Sequence, residues 1–262
     1  MRTPKDALLG PGDPAPALLS RADGTSPFVI VCDHAGNAVP ATLLDLGLPP
    51  AELSRHIGWD IGAAGVSEAL GAALGATTIM QRYSRLVIDC NRPPGHATSI
   101  PAMSDHTVIP GNAGLALEDR AAREVAIFRP YQALIGRVLN ERAQRGQPSV
   151  LIAVHSFTPV FQGAVRPMHA GMLFDREPWL GLALGELLRR EPGLVVANNE
   201  PYALDQETDY TIPVHGEQRE LVCLEIEIRQ DLITSPAGQQ EWAARLARLL
   251  PPALAQAVGQ CT

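Results

Sequence analysis

The chain has 262 residues, of which 46% are hydrophobic and 19% are charged, and its formal net charge at pH 7 is −7. This length and composition are typical of a globular protein with a large buried core and argue against an intrinsically disordered chain. The acidic balance argues against a nucleic-acid partner, because proteins that bind the phosphate backbone carry a basic surface.

The N-terminal segment is rich in proline and glycine and has no continuous apolar stretch. We therefore predict an arm over residues 1–25, followed by a single α/β hydrolase domain over residues 26–262. No secretory signal is recognisable, and no segment approaches the ~20 apolar residues that span a bilayer. The four cysteines are widely spaced and form no CxxC pair. We expect them to be reduced and mostly buried, as in a cytoplasmic protein without a membrane partner.

Short β-branched runs alternate with stretches rich in alanine and leucine along the rest of the chain. Continuous apolar strands that alternate with helices predict a three-layer αβα fold with a central sheet that is mixed but mostly parallel. The predicted strands cover residues 28–32, 77–80, 86–89, 149–154, 171–174, 194–197 and 221–228. The predicted helices cover residues 51–74 with an interruption at 58–60, 117–145 with a break at Pro130, 178–190, and 241–250.

Polar side chains recur at the carboxyl ends of these predicted strands. In open α/β sheets this edge is where ligands bind, so we expect one functional site there. The loop over residues 93–114 is rich in proline and glycine and could form a wall of that site. The strand-end residues are His34, Asn91, Arg92, His155, Glu225 and Glu227.

Two of these residues, His34 and His155, indicate a metal site. Imidazole is a common zinc ligand, and a catalytic zinc ion has three protein ligands and one open position. We prefer Asp60, in the segment HIGWDIGA, as the third ligand. Asn37, three residues after His34, is the alternative, although an amide is a poor zinc ligand. Asp60 could instead cap a helix, and a single strand-end histidine is more often structural than a ligand.

Glu225 and Glu227 are two residues apart on a predicted strand, so their side chains face the same way. Burial of two carboxylates on one apolar strand is costly unless each has a purpose or a partner. A general base beside a metal ion would explain one, and Arg229 could pair with the other. The alternative is an edge strand with an acidic face towards solvent. The spacing alone leaves open which glutamate is the base.

Arg85 and Arg92 bracket the predicted strand at residues 86–89. A guanidinium group binds a carboxylate through two parallel hydrogen bonds, so these arginines suit an acidic substrate. Their alternative role is to pair with Asp89 or with another internal acid.

Several short motifs occur in a fixed order between about Phe28 and Ile233. They are DHAGNAVP, the WD of HIGWDIGA, SRLVIDCNRPP, the HS of AVHSFTP, and LEIEIRQDLI. Together they resemble the N-formylglutamate amidohydrolase family. The Arg-x-x-x-Asp-x-Asn-Arg segment also resembles a motif of aspartoacylases and succinylglutamate desuccinylases, which are zinc enzymes with a carboxypeptidase-like fold.

The resemblance implies a zinc-exopeptidase or phosphorylase/hydrolase-like fold and a zinc-dependent amidohydrolase, with another divalent metal as an alternative. The implied reaction removes an N-formyl or short N-acyl group from an acidic amino acid such as N-formyl-L-glutamate, as part of amino-acid metabolism. The implied roles are metal binding for His34, Asp60 and His155, activation of water for Glu225 or Glu227, polarisation of the carbonyl for Arg85, and substrate binding for Asn91 and Arg92.

The chain departs from related motifs at two places. Asn37 stands where zinc exopeptidases carry the glutamate of an HxxE motif, and Ala35-Gly36 stands where the family commonly has Ser-Gly. Two rival functions remain: a hydrolase with the same site that acts on other N-acyl amino acids or small peptides, and, in view of Asn37, a non-catalytic protein that binds an acidic metabolite. The expected partner is a small anionic N-acyl amino acid, and a homo-oligomer is compatible with the sequence.

Overall fold

A computed structural model describes residues 7–260 and shows a seven-stranded sheet with helices on both faces. The α/β fold class predicted from the sequence is confirmed. Residues 1–6 of the predicted arm, and Cys261, lie outside the described residues. The strands are β1 (Ala17–Ser20), β2 (Phe28–Cys32), β3 (Thr77–Gln81), β4 (Met103–Ser104), β5 (Thr107–Val108), β6 (Val150–Phe157), β7 (Val160–Phe161), β8 (Ala164–Val165), β9 (Ala170–Leu173), β10 (Val196–Asn198) and β11 (Val222–Arg229). The α-helices are α1 (Pro50–Leu53), α2 (Ala63–Leu74), α3 (Leu117–Arg123), α4 (Arg129–Gln144), α5 (Trp179–Arg189) and α6 (Pro236–Val258).

The strand order in the large sheet is β1-β3-β2-β6-β11-β9-β10. The four strands β3, β2, β6 and β11 are parallel neighbours. At one end β1 runs antiparallel to β3, and at the other β9 runs antiparallel to β11 and parallel to β10. The sheet is therefore mixed and mostly parallel. Part of the predicted N-terminal arm, Ala17–Ser20, is an edge strand of this sheet.

Strand β2 shows why the sheet is covered on both sides. Its residues are all buried, with Phe28 and Ile30 in one apolar cluster and Val29 and Val31 in another. The first cluster is formed with α2, α5 and α6, and the second with α4 and long loops. Because successive side chains of a strand point to opposite faces, a continuous apolar run requires two apolar layers around it.

The prediction of a strand at residues 86–89 is wrong, since this segment forms turns. The backbone of Leu86 and Val87 finds partners outside a ladder: Asn112 Nδ2 donates to Leu86 O at 2.8 Å, and Arg123 Nη1 donates to Val87 O at 2.9 Å. The N–H of Asp89 donates to Ser99 O at 2.8 Å. Buried side chains therefore satisfy the polar groups that a neighbouring strand would otherwise satisfy.

The predicted helix over residues 117–145 is interrupted before Pro130, as expected. A π-helical turn, Glu124–Phe128, joins α3 to α4, and Pro130 lies in the first turn of α4. A proline has no N–H to donate to the preceding turn, so an unbroken α-helix is disfavoured there. The closing helix α6 extends beyond the predicted range at both ends. Ser235 caps its first turn by accepting a hydrogen bond from Gly238 N at 3.2 Å.

Cys32, Cys90 and Cys223 are buried and form no disulfide. Within residues 7–260, none of the helices has the length and apolar character that crossing a membrane would require.

Candidate metal and catalytic site

His34, Asp60 and His155, which we call the metal trio, come together at the carboxyl edge of the sheet. His34 lies two residues after β2, and His155 is near the end of β6. Asp60 lies in the turn before α2, where its N–H donates to His34 O at 3.0 Å. Gly62 lets this turn pass close to the backbone of Ile233, because it has a φ of 84° and a Cβ atom there would collide with Ile233 O.

The ligating atoms of the metal trio face one another. His34 Nδ1 is 3.2 Å from His155 Nδ1 and 3.3 Å from Asp60 Oδ2, and His155 Nδ1 is 2.9 Å from Asp60 Oδ2. Zinc bonds of ~2.0–2.1 Å in tetrahedral geometry place neighbouring ligand atoms about 3.3 Å apart. These three atoms therefore have the spacing of three ligands around one metal ion and could hold one.

The other ring nitrogen of each histidine contacts a second buried carboxylate. His34 Nε2 is 2.7 Å from Asp89 Oδ1, and His155 Nε2 is 3.1 Å from Asp33 Oδ2. A carboxylate on the far ring nitrogen fixes the orientation of a ligating histidine and raises its basicity. This role of Asp33 and Asp89 was not predicted from the sequence. The available signal was the Asp-His pair and the Asp-x-Asn-Arg motif.

Charges around the metal trio shift its pKa values strongly. Burial alone would lower the pKa of His155, but Glu225 and the neighbouring aspartates outweigh it and raise this pKa well above its usual value. For Asp89, which contacts His34, burial alone would instead raise the pKa, but Arg85 and His34 outweigh this effect and hold the pKa well below its usual value. The site is thus a cluster of buried charges that stabilise one another.

Glu225 and Glu227 lie on β11, the neighbour of β6, and Glu227 is directly opposite His155 in the register. Each is only 5% exposed, and burial raises the pKa of Glu225 to about 7 and that of Glu227 to about 8. The alternative of a solvent-facing edge strand is wrong, because β11 lies between β6 and β9. Arg229 does not pair with either glutamate; it pairs with Asp231 at 2.8 Å.

The two glutamates differ in their partners. Glu225 Oε2 lies 3.5 Å from Asn91 Nδ2 and 3.8 Å from His155 Nε2. Glu227 Oε2 is buried and has no hydrogen-bond partner among residues 7–260. An unpaired buried carboxylate oxygen is unusual and indicates a group reserved for a ligand or a reaction.

Arg85 links the metal trio to its supporting carboxylate. Its Nη1 is 3.2 Å from Asp60 Oδ1, and its Nε and Nη2 are 3.1 and 2.8 Å from Asp89 Oδ2. Burial lowers the pKa of Arg85, but Asp89 and Asp60 more than reverse this and raise it. A guanidinium has five N–H groups, so one hydrogen on each terminal nitrogen is not used by these bonds.

Asn91 and Arg92 are held by the segment before a second π-helical turn, Ile212–Gly216. Asn91 Oδ1 accepts hydrogen bonds from Tyr210 N at 3.2 Å and Thr211 N at 2.9 Å. Arg92 is ion-paired with Asp209. Both side chains are thus already oriented, and Arg92 already has an acidic partner.

The eight residues given catalytic, substrate-binding or metal-binding roles from the sequence line one cavity of about 340 Å³, which we call the reaction cavity. The alternative third ligand, Asn37, lines a different cavity beside β1 and β3. Tyr202 and Asp209 also line the reaction cavity, although neither was predicted from the sequence. They lie in the irregular segment between β10 and the π-helical turn, where no periodic pattern or motif marks them.

Comparisons with known proteins found one matching family model and solved structures of similar fold. The family model of N-formylglutamate amidohydrolase matches residues 26–234. The crystal structure of a gene product of Agrobacterium tumefaciens is 33% identical in sequence, covers 95% of this chain and 98% of its own, and superposes with a TM-score of 0.91. The crystal structure of an N-formylglutamate amidohydrolase from Ralstonia eutropha is 22% identical, covers 94% and 99% of the two chains, and has a TM-score of 0.66, so it shares the fold. The search of curated proteins gave no match.

Proposed function

Because the chain belongs to the N-formylglutamate amidohydrolase family, and is therefore a hydrolase that acts on amides, we propose that it removes a formyl or short acyl group from the nitrogen of an acidic amino acid such as N-formyl-L-glutamate. The observation that carries the proposal is the metal trio beside two buried glutamates in one cavity. Amide hydrolysis needs an electrophilic aid at the carbonyl and a base for water, and the cavity offers residues for both.

We assign zinc binding to His34 Nδ1, His155 Nδ1 and Asp60 Oδ2. The support is their mutual spacing and the carboxylate behind each histidine. Other divalent metals accept the same mixture of nitrogen and oxygen ligands. A zinc ion held there supplies a Lewis acid that lowers the pKa of water towards neutrality and polarises the acyl carbonyl.

We assign the general base to Glu227. Its Oε2 has no partner among the described residues, and it lies opposite His155, whereas Glu225 already approaches Asn91. A divalent cation at the metal trio favours the charged form of Glu227 and so lowers the pKa that burial raises. Glu227 takes one proton from the attacking water. A carbon–oxygen bond forms, the carbon–nitrogen bond breaks, and the same proton passes to the leaving nitrogen to give formic acid and the free amino acid. The formic acid then gives up its own proton, which the amino group takes up, and becomes formate.

The arginines and Asn91 complete the site. The unused N–H groups of Arg85 stabilise the negative charge that develops on the acyl oxygen, and removal of such a donor typically costs ~100-fold or more in rate. Asn91 Nδ2 and Arg92 bind the carboxylate next to the scissile amide. The ion pair with Asp209 fixes the orientation of Arg92 for this contact.

The test combines metal analysis with a formate-release assay on N-formyl-L-glutamate. We expect about one zinc per chain, loss of activity on chelation and recovery on zinc addition. The variant Glu227→Gln should keep its zinc and lose ~100- to 10,000-fold in kcat, the usual contribution of a general base. The matched variant Glu225→Gln should lose less. A zinc-loaded protein that releases no acid from any N-acyl amino acid would contradict the proposal.

A further inference from the structure

A second cavity of about 270 Å³ adjoins the reaction cavity. The two share Arg85, Arg92 and Tyr202 in their linings. We call this second space the outer cavity. Its remaining wall includes Phe161 of β7 and Asp105 of the β4–β5 hairpin. A small molecule that is held at the metal trio and extends past Tyr202 therefore enters the outer cavity.

The arginines that line both cavities already have acidic partners. Arg85 is bound to Asp60 and Asp89, and Arg92 is bound to Asp209. A substrate with one carboxylate can share Arg92 with Asp209. A substrate with a second carboxylate needs another cation, because the acidic partners of Arg85 and Arg92 already balance most of their positive charge.

Arg166, just after β8, is a cation without an acidic partner. No carboxylate of residues 7–260 lies within ion-pair distance of it, although its side chain is half-buried. Its guanidinium carbon is 4.8 Å from the centre of the Phe161 ring and 4.9 Å from the centre of the Tyr202 ring. Its Nη1 also donates to Tyr202 Oη at 3.1 Å. Both rings line the outer cavity, so the positive charge lies one side chain away from that space.

The aromatic contacts explain how Arg166 is held without an acid. Aromatic faces attract a guanidinium group and fix its plane, and a planar fork fixed in this way is arranged in advance for a carboxylate. The charge also acts inside the outer cavity. Burial lowers the pKa of His56, which lines the outer cavity, and Arg166 contributes to this lowering.

We propose that Arg166 is a specificity-determining residue that binds a second carboxylate, at the end of the substrate that lies in the outer cavity. The ligand of Arg166 is then the side-chain carboxylate of the acidic amino acid already named in the proposed function, directed towards Arg166 and Tyr202. This inference rests on the proposed function for the bond that is cleaved, but binding of a dicarboxylate is independent of cleavage.

The first test is calorimetric titration of the zinc-loaded protein with glutarate, a dicarboxylate, and with butyrate, its monocarboxylate counterpart. We expect glutarate to bind wild-type protein at least about 10-fold more tightly than butyrate. A charge-assisted hydrogen bond of ordinary strength corresponds to about a 10- to 100-fold change in affinity, so Arg166→Gln should reduce the glutarate-to-butyrate ratio by that factor. Arg145→Gln, at an exposed arginine after α4, is the matched control and should leave the ratio unchanged.

If Arg166→Gln fails to fold, Arg166→Met provides a second variant. The methionine side chain removes the charge but can keep apolar contact with the two aromatic rings. A wild-type protein that binds both acids equally, or an Arg166→Met variant that keeps the wild-type ratio, would overturn the proposal.

The second test separates this inference from the proposed function. Arg166→Gln should lower the preference for N-formyl-L-glutamate over N-formyl-L-glutamine, measured as the ratio of kcat/KM values, by about 10- to 100-fold. If wild-type protein cleaves N-formyl-L-glutamate and Arg166→Gln keeps the same preference, the inference fails and the function stands. If wild-type protein cleaves neither compound but loses glutarate selectivity on Arg166→Gln, the function fails and the inference stands.

Discussion

At the scale of single residues, the proposed metal site depends on which ring nitrogen each histidine presents to Asp60. His34 and His155 both turn Nδ1 towards Asp60, because Nε2 of each is bound to a buried carboxylate. The choice of nitrogen is therefore made by Asp89 and Asp33. An imidazole whose far nitrogen donates to a carboxylate is also a stronger ligand.

This arrangement predicts that Asp89→Asn weakens zinc binding without removing a ligand. The amide keeps the size of the side chain but not its charge, so we expect the affinity for zinc to fall about 10- to 100-fold. Competition with a chromogenic chelator at pH 7 measures it. Asp231→Asn, at an acid paired with Arg229 outside the cavity, serves as control and should bind zinc like wild-type protein. Equal affinities for Asp89→Asn and wild-type protein would contradict this account of the site.

The residues that line the cavity could be predicted from the sequence, but the contacts between their side chains could not. The eight chosen residues were recognisable from their residue types and from the motifs around them, and the fold brings all of them to one cavity. The pairing of Asp33 with His155 joins residues 122 positions apart, and no local pattern specifies it. Arg166 was not found at all, because its partners are aromatic rings brought together only by the fold.

At the scale of elements, the segment at residues 86–89 shows how side chains can replace a neighbouring strand. Asn112 Nδ2 donates to Leu86 O and Pro101 O, while its Oδ1 accepts from Arg123 at 2.7 Å. Arg85 directly precedes this segment, and Asp89 is its last residue. These buried bonds therefore hold the loop that supports the metal trio.

Loss of this support should be costly. Asn112→Ala leaves two carbonyl groups and part of a buried guanidinium without partners, and each such loss costs about 1–3 kcal/mol. We expect the free energy of unfolding, measured by urea titration, to fall by about 3 kcal/mol or more. Asn140→Ala, at an exposed residue of α4, should change it by no more than about 0.5 kcal/mol. A similar effect for the two variants would show that the loop is held by other contacts.

The same segment marks where prediction of elements from the sequence stops. Its apolar, β-branched run has the composition of a strand, and composition cannot show that Asn112 and Arg123 occupy the positions of a neighbouring strand. The central strands were predicted correctly, because a continuous apolar run in a parallel sheet depends only on burial. The edge strand β1 was missed because its half-exposed, proline-flanked sequence carries no such run.

At the scale of the whole molecule, buried ionisable groups make the fold sensitive to acid. His215, in the π-helical turn Ile212–Gly216, bonds Gln132 Oε1 through Nε2 at 2.8 Å. Burial, followed by the charge of Arg219, lowers its pKa from 6.5 to about 4. The unfolded chain therefore binds a proton on His215 at a higher pH than the folded chain does. The stability that comes from keeping His215 neutral is complete above pH 6.5 and is lost as the pH falls towards 4.

Each unit of pKa shift corresponds to ~1.4 kcal/mol, so His215 accounts for a loss of about 3 kcal/mol across this interval. We expect His215→Gln to lose less stability than wild-type protein between pH 7 and pH 4, by about that amount. Urea unfolding of zinc-free protein at several pH values measures the difference. His106→Gln, at the exposed tip of the β4–β5 hairpin, should follow the wild-type curve. Parallel curves for His215→Gln and wild-type protein would exclude His215 as the source.

The ladder between β6 and β11 and the small hairpins outside the large sheet differ in how freely their sequences can change during evolution. The ladder places His155 opposite Glu227, so the spacing between the proposed metal ligand and the proposed base is fixed by backbone hydrogen bonds of the central sheet. Asp105 and Arg166 belong to two small hairpin regions outside that sheet. Mutations that lengthen, shorten or recharge a hairpin can accumulate without changing this register. Descendants of one ancestor can therefore diverge in the side chain they recognise while they all retain the same hydrolytic centre.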